Sequence, residues 1–192
     1  MRRVLIDLMF SPRLRSAPRG DSLVAFLARA VFASVLLRFF LNSFLTKIDG
    51  FGLSAGAYIQ ILPRQMEAAG YDPSQIAFPL QLVVLAGTLA ELVLPALVVL
   101  GVATRPAALA MMGFVVMMSF TDIFGHGVET QTIGALFDGD PFGTILDQRL
   151  MWLFLLSIPA WLGGGSISLD AFIWSRLRGA RWAMATGAAA AK

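Results

Sequence analysis

The chain has 192 residues, of which 57% are hydrophobic and only 14% charged, and its mean hydropathy is +0.74. So few polar side chains cannot cover a water-exposed globule, which excludes an ordinary soluble enzyme. The net charge is only +3 and the cations sit beside apolar segments, which argues against a nucleic-acid partner; the absence of cysteine excludes thiolate catalysis, disulfides and iron–sulfur ligation.

Residues 1–21 carry Arg2, Arg3, Arg13, Arg15 and Arg19 around a short apolar stretch, Val4–Phe10, too short to span a bilayer. They read as a basic cytoplasmic arm. The first predicted span covers about 22–46: an apolar run from Leu23 to Leu45 interrupted by Arg29 and Arg38 and closed by Lys47-Ile48-Asp49-Gly50. After it the chain turns polar. Ser54 to Ala69 reads as a short amphipathic helix at the membrane interface, with Ser54 as its cap and a bend at Pro63. The turn Gly70-Tyr71-Asp72-Pro73 leads into the longest apolar run, a second span over about 76–102 whose one charge is Glu91.

Ala103-Thr104-Arg105-Pro106 is a tight turn in which Thr104 can cap the next helix and Pro106 sits in its first turn. The third span covers about 106–124, and an acidic loop with Glu129, Asp138, Asp140 and Asp147 follows. Leu150–Leu162 is short for a span, so the distribution of cations decides its reading. Four spans place the N-terminal arginines, Arg105, Arg176, Arg178, Arg181 and Lys192 on one side, against Lys47, Arg64 and Arg149 on the other. That asymmetry puts both termini in the cytoplasm and extends the fourth span to about 142–163. Gly163-Gly164-Gly165 ends it, Ser166–Leu177 reads as a second interfacial helix, and 175–192 is a basic, Ala-rich tail. The expected fold is all-α: one membrane domain over 22–174, a four-transmembrane-helix bundle with short interfacial helices in the first outer loop and after the last span.

Three charges lie deep in these spans. Glu91 near the middle of the second costs several kcal/mol if ionised and unpaired, so it should face the bundle, with Gly87 and Thr88 one turn before it on the same side. It reads either as a proton carrier or ligand anchor, or as half of a structural ion pair. The partners considered are Arg29 and Arg38, nine residues apart and so on opposite faces of an ideal helix; only one can face Glu91. Arg38 shares its face with Asn42, whereas Lys47 falls on the Arg29 face. Glu91, Arg29, Arg38, Asn42 and Thr88 are therefore the candidate ligand or proton pocket. Asp122, His126 and Glu129, four and three residues apart, form a candidate polar cluster at the outer end of the third span, and no metal site is assigned to them. Met111, Met112, Met117 and Met118 point in different directions and read as packing or lipid contacts.

Certain residues taken together resemble a known family. An Arg early in the first span, Lys at its end, Ala90-Glu91-Leu92-Val93-Leu94-Pro95 in the second, Leu100-Gly101-Val102-Ala103-Thr104-Arg105-Pro106, and the closing Gly164-Gly165-Ser166-Ile167-Ser168-Leu169-Asp170 are similar to the DoxX family. The resemblance implies a four-helix protein of the bacterial inner membrane. It also implies Arg29, Lys47, Glu91, Thr104 and Arg105 as motif positions, and kinship with proteins of redox-stress and metal-stress systems named for a subunit of a thiosulfate:quinone oxidoreductase. The expected role is an accessory or quinone-associated subunit of a membrane redox or stress-response system, without independent catalysis. Quinone is then the candidate cofactor, and the lipid bilayer, a partner redox protein and further copies of the chain are the candidate partners. The alternatives are a small-solute or lipid-binding transport module and a scaffold for a partner enzyme.

Overall fold

The computed structural model describes residues 19–176. Four helices in it are long and apolar enough to cross a membrane: α1 (Gly20–Thr46), α4 (Phe78–Leu100), α5 (Thr104–His126) and α7 (Thr144–Leu162). Between α1 and α4 lie a two-residue-per-strand antiparallel hairpin, β1 (Ile48–Asp49) and β2 (Gly52–Leu53), and two short helices, α2 (Ala55–Ile61) and α3 (Pro63–Ala68). A single turn, α6 (Thr130–Ile133), separates α5 from α7, and a short helix α8 over 169–176 follows the last span. The fold is an all-α four-helix membrane bundle with short helices in the first inter-span loop and after the last span.

The side chains show why such a chain needs lipid. Leu23, Val35, Leu82, Leu89, Met151 and Phe154 are all exposed on the outer surface of the bundle, far more apolar area than a protein in water leaves uncovered. The interior is comparatively small. Phe32, Leu36 and Phe40 of α1, Val98 of α4, Met111 and Val115 of α5 and Leu156 of α7 form its main cluster. Phe40 meets Phe114 and Trp152 edge-on with ring centroids 6.3 Å apart in each case, tying α1 to α5 and α7. On α4 the buried residues Val84, Thr88, Glu91, Pro95 and Val98 recur every three or four positions, one face of a helix.

The two ends of the bundle are closed differently. At the hairpin end, Ser54 caps α2 by accepting from the N–H of Ala57 at 3.2 Å, and Pro63 opens α3 after the break at Leu62. The pair α2–α3 lies across the spans, seated on two glycines. A Cβ at Gly125 would stand 2.7 Å from Cγ of the Pro63 ring, so glycine is required there for the cover to approach this closely, and one at Gly87 would stand in tight contact, 3.0 Å, with the Ile61 Cδ1 methyl.

At the opposite end, the segment after α7 folds back and locks the start of α5. Asp170 Oδ1 accepts from the N–H of Ala103 at 2.7 Å, while Oδ2 accepts from the N–H of Thr104 at 2.8 Å and from its hydroxyl at 2.6 Å. The expected capping role of Thr104 is thus corrected: its hydroxyl is a donor to Asp170, and Asp170, 66 residues away, is the cap. The reason is geometric, since Ala103 takes a left-handed backbone, φ 44°, which a free chain disfavours and the carboxylate holds in place. Replacing Asp170 by alanine strips three donors of their acceptor and should cost about 1–2 kcal/mol, the upper range for a lost N-cap. Thermal unfolding of the purified protein in detergent measures it, and Asp170→Asn, which keeps one acceptor oxygen, should lose less.

Candidate functional site

Beneath the α2–α3 cover the spans enclose a cavity of about 600 Å³. Its walls are apolar, among them Phe39 of α1, Val83 and Ala86 of α4, and Phe114, Met117 and Met118 of α5; its polar groups are Ser43, Lys47, Gln60, Glu91, Thr121, Asp122, His126 and Arg149. Two ion pairs are set into these walls.

Lys47, at the end of α1, is 2% exposed, and its ammonium lies 3.0 Å from Glu91 Oε1 and 2.9 Å from Oε2. Its third proton goes to Ser43 Oγ at 2.8 Å, one helical turn earlier. Every N–H of the ammonium is therefore used, as a buried cation requires. Glu91 is neither unpaired nor matched with Arg29 or Arg38 as the residue counting predicts; its partner is Lys47. The direction in which helical side chains lean explains this. Each leans toward the N-terminus of its own helix, and α1 and α4 run antiparallel. Lys47 reaches down α1 while Glu91 reaches up α4, so a pair widely separated by backbone depth converges.

For Arg29 the same lean carries the guanidinium away from Glu91, to the far end of the bundle. There Nε donates to the carbonyl of Val98 at 3.0 Å, Nη2 to Val99 at 2.6 Å, and Nη1 to Gly164 at 2.6 Å and Ile167 at 2.8 Å. Two of these acceptors belong to the last turn of α4, where carbonyls run out of the regular helical donors and a cation complements the helix dipole. Arg29 is a buried cross-link between α4 and the segment after α7, outside the cavity.

Arg38 and Asn42 are exposed on the outer face of α1 and do not line the cavity either. Thr88 is fully buried one turn before Glu91, and its hydroxyl has no partner within the described residues.

The second pair comes from the polar group at the ends of α5 and α7. Arg149, 7% exposed, places Nη2 2.5 Å from Asp122 Oδ2 and Nη1 3.1 Å from Ser119 Oγ. Both ion-paired residues sit in π-helical turns, Thr121–His126 and Thr144–Arg149, whose extra residue per turn re-aims side chains relative to a regular helix. His126 is exposed at the rim, its Nε2 3.2 Å from the carbonyl of Gln60 on the cover. Glu129 falls beyond the helix, exposed and off the cavity wall, so the cluster of Asp122, His126 and Glu129 is divided: two members line the cavity and one does not. Among the described residues no three His, Asp or Glu side chains gather as metal ligands would.

Residue counting thus missed Lys47, Ser43 and Arg149. Lys47 was the one with a signal, as a motif position of the resemblance and as the cation that falls on the Arg29 face of its helix. The arrangement can hold a ligand with a largely apolar body and a few hydrogen-bonding atoms, next to two ion pairs. A second, wider groove of about 1040 Å³ opens between α1 and α7 under the loop 135–141, with Val31, Val35 and Trp152 in its wall.

A family model described as DoxX matches residues 24–122, just over half of the chain and including Lys47, Glu91 and Asp122. No curated protein and no solved structure matches the chain.

Proposed function

The chain belongs to the DoxX family, and from that premise we propose that it is an accessory, quinone-associated subunit of a redox or stress-response system in the bacterial inner membrane. Both termini then face the cytoplasm, the side on which most of the arginines fall. The observation that carries the reading is the cavity of about 600 Å³ with the Lys47–Glu91 pair in its wall. Its size lies within the range of small-molecule sites, and its lining matches a quinone: apolar walls for ring and tail, and a donor in the Gln60 side-chain amide for a carbonyl oxygen. A bound quinone supplies two-electron, two-proton chemistry. What the chain contributes is a largely apolar wall and the Glu91 carboxylate, held by Lys47, whose ammonium is in turn fixed by Ser43.

The test is mass spectrometry of lipophilic molecules that stay with the protein purified in mild detergent, comparing the native chain with Ala90→Leu, which narrows the cavity without touching an ion pair. Native protein should carry near-stoichiometric quinone and the variant at least tenfold less. Protein that carries none, and takes up none from quinone-loaded vesicles, overturns the reading. Glu91-dependent uptake of protons or solute by vesicles in its place would favour the transport alternative.

A further inference from the structure

Arg38 stands in the wrong place for a lone membrane protein. It is exposed on α1, eight residues before the span ends at Thr46, and makes no hydrogen bond or ion pair among the described residues. Intramembrane cations ordinarily face the bundle interior and are paired, as Lys47, Arg29 and Arg149 are here. Snorkelling toward the nearer end runs against the lean of a helical side chain, which points toward the N-terminus and so away from that end. Toward the other end it would have to pass 18 residues, back to Gly20. The surface around Arg38 is shaped for a helix: Ala30, Ser34, Arg38 and Asn42 recur every four residues and are all exposed, with two small side chains that allow close approach and an amide one turn beyond the charge.

We propose that this face of α1 docks a transmembrane helix of a different protein, one that presents a carboxylate at the depth of Arg38. A second copy of the chain is a poor occupant. Glu91, the carboxylate deep in a described span, is taken by Lys47, and Asp122 by Arg149, while Asp21 and Asp147 lie within a turn of their span ends. Two copies packing this face of α1 against itself about an axis along the membrane normal would also set Arg38 against Arg38. The inference rests on the accessory-subunit reading and supplies the kind of partner it requires.

The experiment places a photo-crosslinking residue at position 34 of the full chain in its native membrane and maps the adducts by mass spectrometry. The expected adduct is a transmembrane peptide of another protein with Asp or Glu within about one turn of the crosslinked residue. It should fall at least tenfold in Arg38→Gln and persist in Arg38→Lys, both with unchanged thermal stability because the side chain is exposed. Adducts confined to phospholipid or to α1 of a second copy overturn the proposal. So do an adduct helix lacking a carboxylate, indifference to Arg38→Gln, or no adduct at all. Quinone content is read on the same membranes: quinone without the adduct removes the docking face and leaves the cavity reading, and the reverse removes the quinone and leaves the docking face.

Discussion

Replacing Lys47 by methionine should lower the stability of the protein by about 3–5 kcal/mol, the cost of leaving Glu91 ionised and alone in a low-dielectric interior. Glu91→Leu alone strands the ammonium instead, with Ser43 as its remaining partner. The informative outcome is the double variant. Lys47→Met with Glu91→Leu removes both charges and should return most of the loss, because a buried ion pair is worth little more than a well-packed apolar pair of similar volume. Chemical or thermal denaturation in detergent measures all four corners of the cycle. If the native protein retains quinone and the stable double variant does not, the pair is kept for binding rather than for folding. If each single change costs under about 1 kcal/mol, the pair is more open to water than its burial implies.

The second large effect belongs to Arg29. Its guanidinium satisfies four carbonyls drawn from two segments, Val98 and Val99 on one side and Gly164 and Ile167 on the other. Arg29→Lys keeps the charge but offers a single nitrogen, with neither the planar fork nor the reach to serve both segments. Two or more carbonyls should be orphaned, at about 1–3 kcal/mol each. A fall in melting temperature larger than that of Asp170→Ala, with the quinone affinity of the remaining folded protein unchanged, is the expected result. A change in affinity at constant stability would instead move Arg29 back among the pocket residues.

Much of this architecture is written in the hydropathy. Four apolar runs and a lopsided distribution of arginines define four helices, and the last is recognisable only because the charges demand it, since Leu150–Leu162 on its own is too short. In the structure the missing length is Thr144–Arg149, a π-helical turn with Asp147 and Arg149 in it, which no window of apolar residues picks out. Glu91 is conspicuous because a lone charge in an apolar run is costly. Its partner is not, because Lys47 falls just outside the run, where a cation looks like an ordinary helix end. Arg29 misleads for a related reason. A buried arginine suggests a carboxylate, but here it is satisfied by backbone carbonyls, which every residue has and which leave no mark in a sequence. Asp170 stands within a recognisable motif, yet its role depends on where the segment after α7 returns, and that is set by tertiary contacts. The cavity itself is a product of packing: Gly87 and Gly125 show that something approaches closely, not that α2 and α3 are what approach.

The bonds at Arg29 and Asp170 also bear on the order in which the protein can be made. Gly164, Ile167 and Asp170 leave the ribosome after every span has been synthesised, yet they complete the hydrogen bonding of a side chain in the first span and of the opening turn of the third. Until they arrive, Arg29 sits in the membrane short of two acceptors and α5 begins on uncapped amides. The bundle therefore closes last to first, and a chain released before residue 164 leaves Arg29 without two of its four carbonyl acceptors.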